Sequence, residues 1–206
     1  MSVFPPRLLP SVTFLSDERI AEACLRGVME EELREGHLDV EAPALPPGPE
    51  PQSEAERDLM DELGRRVRQQ SSLLKGNQEL QDSIDGVIRM PGSMMDKFSQ
   101  LAGKVFKNGV TWDKIILLFY VAGRMAIKVM EDNLPLQVIE IFKIALNYFK
   151  EKLLGWVTSH GGWSNCLSEL SGRMQGMPLT TKQTLIIIIA GLAFLSIVAW
   201  KRTRRA

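Results

Sequence analysis

The sequence predicts an all-α protein organised around one apolar helical hairpin. Residues 111–130, TWDKIILLFYVAGRMAIKVM, carry no charge from Ile115 to Gly123, and their apolar side chains would point to every side of a helix. A helix that is apolar all round must be buried or must meet lipid. Pro135 separates this segment from a second strongly apolar one, 136–157, and no run of residues alternates with the period of two that is typical of a strand. The two segments are therefore predicted to form a hairpin of buried helices.

The N-terminal quarter predicts one amphipathic helix followed by a linker. Residues 1–15 are expected to be irregular, and Ser16 can cap a helix over 17–35 that Gly36 ends. Proline and acid without periodicity in residues 37–53 predict a mobile linker inside the domain.

Further helices are predicted on either side of the hairpin. A charged helix should follow the linker, and a Gly-Gly turn should lead from the hairpin into a last short helix. The expected helices are 54–74, 78–89 capped by Asn77, one opened by Ser93 and stopped by Asn108-Gly109, and 163–170. A helical bundle is thus predicted over residues 16–178.

The last segment, 179–206, is predicted to be a membrane anchor. Residues 185–200, LIIIIAGLAFLSIVAW, are uncharged, and their length approaches that of a bilayer core of about 30 Å. Aromatic and basic residues follow at the positions where interfacial side chains belong. The anchor residues are Leu185, Ile189, Phe194, Trp200, Lys201 and Arg202. An anchor at this end would leave the domain in the cytosol, and its short length and basic flanks favour the mitochondrial outer membrane; packing into a groove of the same protein is the alternative, and both can hold.

Composition excludes several other classes of protein. The 25 basic and 25 acidic side chains balance, so no overall field directs the chain to nucleic acid. Cys24 and Cys166 are too few for a disulfide scaffold and indicate a reducing compartment. His37 and His160 have no cysteine or carboxylate at metal-ligand spacing, and no phosphate-binding glycine loop or nucleophile elbow is present. The sequence therefore predicts neither an enzyme nor a cofactor or metal site.

Two short motifs resemble those of the Bcl-2 family of apoptosis regulators. Residues 108–120, NGVTWDKIILLFY, resemble the first homology motif of that family, and Gly161-Gly162-Trp163 resembles the second. The sequences of residues 77–81 and 153–156 are similar to those of the pore-forming, pro-apoptotic members. The resemblance extends from residue 17 to the C-terminus. It implies a bundle of eight or nine helices around the central one, with a hydrophobic groove formed by the second to fifth helices.

The resemblance also implies a death-motif helix, the third homology motif, which members insert into one another's grooves. The best match is LMDEL at 59–63, in which apolar anchors share one face and an acid is placed to meet a groove cation. The candidate residues are Leu59, Met60, Asp61, Glu62, Leu63 and Val67. Met60 stands where a small residue is usual, and Glu56 where an apolar anchor is usual. An ungapped register would instead use Leu63, Val67 and Leu74, and it would lack the acid.

The implied groove residues belong mainly to the first motif. They are Phe98, Asn108, Gly109, Trp112, Lys114 and Leu118. Lys114 stands where the family has an arginine, and Asp113 stands where it has a glycine. A lysine cannot make the bidentate pairing of a guanidinium. Without the family context, Lys114 would be interpreted as a solvated charge at the start of a helix.

The resemblance implies a tail-anchored promoter of apoptosis in the cytosol and the mitochondrial outer membrane. Its expected partners are death-motif helices, pro-survival relatives, further copies of itself as dimers and oligomers, and outer-membrane lipids. A pro-survival member that sequesters death-motif helices in the same groove is the alternative. A tail-anchored adaptor unrelated to apoptosis is the third class, and it would need no hidden hairpin.

Overall fold

The computed structural model describes residues 10–36, 38 and 41–173, and this part of the chain is all-α, as the sequence predicts. A five-residue π-helical turn, Phe149–Leu153, joins α6 to α7 without a break, so the eight helices form seven separate rods. The helices are α1 (Pro10–Glu35), α2 (Glu54–Lys75), α3 (Gln78–Ile88), α4 (Met94–Val105), α5 (Trp112–Glu131), α6 (Leu136–Tyr148), α7 (Leu154–Ser159) and α8 (Gly162–Arg173).

Helix α5 lies at the centre of the bundle, which confirms the prediction of a buried hairpin. It packs against α1, α2, α3, α4 and α6, and sixteen of its twenty residues are buried. Each fully buried large apolar side chain contributes about 1.5–3 kcal/mol to stability. Asn133 adopts a positive φ of 59° in the connection to α6, and the Leu134 amide donates to the Val129 carbonyl at 2.8 Å. Residues 136–157 continue from there as the second arm.

Polar side chains begin the helices before α5. Asn77 caps α3, as predicted, because its Oδ1 accepts from the Leu80 amide at 2.9 Å. Ser93 caps α4, as predicted, and completes a capping box with Asp96. Ser53 caps α2 by accepting from the Glu56 amide at 3.1 Å.

The start of α1 differs from the prediction. The helix begins at Pro10 rather than after Ser16, so the expectation of an irregular segment up to residue 15 was wrong for residues 10–15. Proline is favoured in the first turn of a helix because its missing N–H would have no partner there. Ser16 has another use, since its hydroxyl donates to Glu56 Oε1 of α2 at 3.0 Å.

The connection between α1 and α2 is packed more closely than the sequence suggests. Its residues 41–51 form neither helix nor strand, as predicted. Leu45, however, is only 8% exposed and belongs to the core, and Leu38 and Ala42 pack against it. The expectation of a free linker was therefore wrong at these positions, because isolated apolar residues among prolines and acids give no periodic signal.

Candidate helix-binding site

Helix α2, which holds the candidate death motif, is part of the core. Leu63 and Val67 are fully buried, and Leu74 and Met60 are nearly so. Asp61 is exposed. The structure therefore places two of the predicted anchors on the buried face of α2 and the predicted acid outside it.

The neighbours of Asp61 are likewise divided between the buried and the outer face of α2. Leu59 is half-buried against the core, and Glu62 forms ion pairs with Arg65 and Arg66 on the outer face of the helix. The role of residues 59–63 as a binding motif stays a prediction, since burial alone does not test it.

The N-terminal end of α2 is held against α1 by Glu56. This side chain is 8% exposed, and its Oε1 accepts from Arg19 Nη2 at 2.8 Å and from Ser16 at 3.0 Å. Its Oε2 accepts from the Gln52 amide at 2.7 Å. Burial raises the pKa of the Glu56 carboxyl, but these hydrogen bonds outweigh it and bring the pKa below its usual 4.5. We call this group the N-terminal clasp.

The C-terminal end of α2 is held against α1 by Lys75. Its Nζ lies 2.9 Å from Glu32 Oε1 and 2.5 Å from Glu35 Oε2. Glu32 is 3% exposed, and its burial raises the pKa of its carboxyl although Lys75 lies beside it. This C-terminal clasp and the N-terminal one fix α2 to α1 at both ends.

The predicted groove residues fall into two sets. Phe98 and Leu118 are fully buried and Trp112 is 2% exposed, so these three lie in the core. Asn108 and Gly109 are exposed in the turn before α5, where Gly109 has a φ of +86° that favours glycine. The structure thus places the three aromatic and aliphatic side chains in the core and the other two residues in an exposed turn.

Lys114 is buried, which overturns its interpretation as a solvated charge. The residue is 5% exposed, and its Nζ donates to the Gly109 carbonyl at 2.7 Å. Burial lowers the pKa of its ammonium group. The side chain folds back over the turn that precedes its own helix, a contact that sequence spacing does not reveal.

The second homology motif forms the junction between α7 and α8. Gly161 and Gly162 have positive φ values of 87° and 65°, and Trp163 is 1% exposed. The Trp163 indole Nε1–H donates to the Asp17 carbonyl at 2.8 Å, and the Trp163 amide donates to Asp17 Oδ1 at 3.3 Å. A Cβ on Gly162 would lie 2.8 Å from that same oxygen, so only glycine fits. Thr158 donates to Asp17 Oδ2 at 2.9 Å.

Asp17 is a residue whose role the sequence did not show. It lies about two turns into α1, and its carboxylate and carbonyl accept hydrogen bonds from the start of α8. Burial raises the pKa of its carboxyl, and its hydrogen bonds from Thr158 and Trp163 oppose that rise. No local signal could have found this contact, because the partners lie 141 and 146 residues away.

The second half of α5 carries a polar face. Asp85 of α3 lies 3.3 Å from Arg124 Nη2 and 3.2 Å from Lys128 Nζ, and Gln81 of α3 donates to the Tyr120 hydroxyl. Arg124 and Lys128 are thus partly exposed and pair with α3 on this face.

A cavity of about 320 Å³ lies beside this polar face, between α1, α2, α3 and α5. Its three acids pair with two cations of the lining, Lys75 and Arg124. Within residues 10–36, 38 and 41–173, no group of three histidine, cysteine or acidic side chains could hold a metal ion. The cavity is lined by Glu32, Glu35, Gly36, Lys75, Gln78, Gln81, Asp85, Tyr120, Arg124 and Ile127.

The predicted anchor residues lie outside the described part of the chain. These residues are Leu185, Ile189, Phe194, Trp200, Lys201 and Arg202. Among the helices of the described part, none is both long and apolar enough to cross a bilayer. The membrane anchor stays a prediction from the sequence.

Comparison with known proteins defines the class of this chain. Residues 57–163, just over half of its length, match the family model described as apoptosis regulator proteins of the Bcl-2 family. The chain therefore belongs to the Bcl-2 family of apoptosis regulators, as its motifs predicted. This membership also confirms the expectation that it is not an enzyme.

Individual relatives extend the match beyond the two motifs. Human apoptosis regulator BAX is 32% identical over 170 residues, which is 82% of each chain, and the bovine protein is 31% identical over the same length. Bcl-2-like protein 1 of the rat is 26% identical over 73 residues, 35% of this chain and 31% of its own. The similarity to BAX thus covers most of the molecule.

Solved structures show the same fold. The crystal structure of chicken BOK superposes with a TM-score of 0.58 at 19% identity, over 76% of this chain and 97% of that one. Trichoplax adhaerens trBcl-2L2 bound to trBak BH3 gives a TM-score of 0.55 at 18% identity, over 76% and 98%. At these identities the likeness shows the fold alone, a Bcl-2-like bundle of helices.

Proposed function

We propose that this chain is a pro-apoptotic effector that oligomerises and permeabilises the mitochondrial outer membrane, releasing cytochrome c. The observation that carries the proposal is the apolar α5–α6 hairpin, hidden at the centre of a chain that is similar to BAX over 82% of its length. A helix that is apolar on most sides is stable either in a protein core or in lipid. The hairpin can therefore exchange one environment for the other.

Activation begins when a death-motif (BH3) helix of another family member binds the groove. The two clasps hold α2 to α1 through Glu56 and Lys75, so α2 is released only when both sets of ion pairs separate. The freed α2 then pairs with the groove of a second copy, and symmetric dimers assemble into larger oligomers. Pro-survival relatives would stop this sequence by sequestering α2.

Location follows from the predicted tail. Residues 179–206 would anchor the chain in the mitochondrial outer membrane with its domain in the cytosol, and α5–α6 would enter the same bilayer after oligomerisation. Arg124 and Lys128 would then need water or an anionic headgroup, because a charge at the bilayer centre is costly.

A pro-survival role on the same fold is the second candidate. It is supported by the 73-residue match to Bcl-2-like protein 1, and the structure of the fold neighbour trBcl-2L2 contains a BH3 partner. In this role the groove would bind death-motif helices of other proteins, and the hairpin would never leave the core. Fold likeness cannot choose between the two, since one fold hosts opposing functions.

Release of dye from liposomes of mitochondrial lipid composition tests the proposal. The full chain should cause release only when an activator death-motif peptide is added, because the hairpin must first be freed. Absence of release, together with suppression of the leakage that a pore-forming relative causes, would establish the pro-survival role instead.

A variant of α2 identifies the segment that acts. Asp61→Ala combined with Leu63→Ala removes the predicted acid and a fully buried anchor, and we expect release to fall to background. Leu73→Ala on the same helix is the control, since Leu73 is 69% exposed and its loss should leave release unchanged. Circular dichroism verifies that each variant is folded. Full release by the folded double variant would show that residues 59–63 are not the death motif.

A further inference from the structure

We propose that Lys114 makes the groove of this chain indifferent to the acid of a death-motif helix, so that the occupant it suits is α2 of a second copy. The inference rests on the proposed function, because it specifies what the groove selects. It concerns a position where the family resemblance implies a cation free to meet an incoming carboxylate.

The first observation is that the Lys114 ammonium group is already engaged. It donates to the Gly109 carbonyl at 2.7 Å, and the residue is only 5% exposed. Nζ has further donors, but because the residue is almost wholly buried, a carboxylate arriving in the groove would have to draw the side chain outward to reach them. The gain from the new contact would then be offset by loss of the existing one.

The second observation is a charge of the wrong sign beside it. Asp113 precedes Lys114, at the position where the resemblance implies an uncharged glycine, and its half-buried carboxylate already takes part in other interactions. A like charge at close range disfavours a second carboxylate. Neither the cation nor its surroundings therefore attracts an acidic helix.

The third observation is that the later of the two registers of α2 has no acid at the acid position. In LMDEL, the predicted acid Asp61 lies two residues before the last anchor, Leu63, and the small position just before Asp61 holds Met60. The same spacing before Leu74 places Ser72 at the acid position and Ser71 at the small one.

The packing of α2 supports this later register. Ser71 is 3% exposed, as a small residue at a helix interface should be, while Ser72 is exposed and uncharged. The anchors of this register, Leu63, Val67 and Leu74, are all buried in the resting fold. In this register α2 thus presents no acid to Lys114, whose ammonium group is already engaged, and no new charge pair has to form when they bind.

Binding of two peptides to the full-length chain tests the inference. Both peptides copy residues 57–78 with Asp61→Ala, which removes the acid of the earlier register, and the second peptide also carries Ser72→Asp. Fluorescence anisotropy in the absence of lipid should give dissociation constants for the wild-type chain that agree within about threefold, since less than 1 kcal/mol separates the two.

The variant Lys114→Arg restores a group that can pair bidentately, and it should favour the Ser72→Asp peptide by about tenfold. Lys107→Arg is the matched control, because Lys107 is exposed in the same turn and should leave the ratio unchanged. Equal melting temperatures show that the variants fold alike.

Two results would overturn the inference in different ways. A preference of the wild-type chain for the Ser72→Asp peptide by tenfold or more, lost in Lys114→Ala, would show that Lys114 does recognise the acid. Failure of the wild-type chain to bind either peptide, or an unrelated activator death-motif peptide, would contradict the proposed groove itself and the inference with it.

Discussion

The two halves of α5 are buried in different ways. The first half packs by apolar contact: Trp112 and Phe119 lie 5.6 and 6.4 Å, between ring centroids, from Trp163 of α8. The second half also buries apolar side chains such as Met125, but it adds ion pairs, because Arg124 and Lys128 share Asp85 of α3. One helix thus combines a core segment and a polar interface.

The difference matters for any transfer to lipid. Apolar side chains lose little by exchanging a protein core for hydrocarbon, which is as apolar as they are. Arg124 and Lys128 lose their partner and meet a medium in which an unpaired charge is costly. The first half of α5 therefore stays in the core mainly because its apolar side chains avoid water. The second half is held there also by its ion pairs with Asp85.

The largest expected effect removes the aromatic support of the first half. Trp163→Ala should lower the free energy of unfolding by about 3–5 kcal/mol, because it empties a fully buried site. Urea denaturation followed by circular dichroism measures the change. Leu136→Ala is the control, since Leu136 is 80% exposed and should change stability by less than about 0.5 kcal/mol. A small loss for Trp163→Ala would mean that the aromatic cluster does not support α5.

A smaller effect tests how tightly α1 covers the second half. A Cβ on Gly123 would lie 2.6 Å from Cγ of the buried Glu32, so Gly123→Ala should destabilise the fold by about 1–3 kcal/mol. Gly103→Ala and Gly155→Ala are matched controls in other helices, where a Cβ meets nothing within 4 Å. Both should be stabilising by up to about 1 kcal/mol. Equal effects at the three glycines would show that α1 gives way at Glu32.

The smallest effect is a dependence on pH. Burial raises the pKa of Glu32 above its usual 4.5, despite the hydrogen bond from Lys75, so ionised Glu32 is less stable in the fold than in water. Its contribution is favourable below pH 4.5 and is lost as the pH rises through the raised pKa. The free energy of unfolding of Glu32→Gln, taken relative to that of the wild type, should therefore be higher at pH 7 than at pH 4. Urea denaturation at the two pH values measures it.

Glu56 provides the matched variant, with the opposite sign. Its pKa is lowered from 4.5, so its contribution to stability is present above that pH and is lost as the pH falls through the lowered pKa. The free energy of unfolding of Glu56→Gln, taken relative to that of the wild type, should be lower at pH 7 than at acid pH. Parallel pH profiles for the two variants would contradict the assignment of both clasps.

The features that the sequence predicted are those with local signals. Long apolar runs identified α5 and α6, and short polar or glycine motifs identified the caps at Asn77 and Ser93 and the turn before Trp163. Each depends on residues within a few positions of one another. Such contacts can be read from spacing alone.

The features that it missed depend on distant residues. Glu32 and Glu35 pair with Lys75, which lies 43 and 40 positions later in the chain. The sequence around either acid does not indicate this partner. Lys114 was assigned to solvent because its carbonyl partner is part of the backbone, which carries no sequence signal. Leu45 was missed because one apolar residue among prolines has no period.

The bonds between Asp17 and the turn before α8 have a consequence for how the chain is made. The Trp163 amide lies 146 positions after Asp17, so almost the whole bundle must leave the ribosome before the Asp17 carboxylate finds its partners. At roughly 5–20 residues per second, that interval lasts roughly 7–30 seconds. During it the Asp17 carboxylate waits for its partners, although α2 and α5, which cover the apolar side of α1, are synthesised earlier.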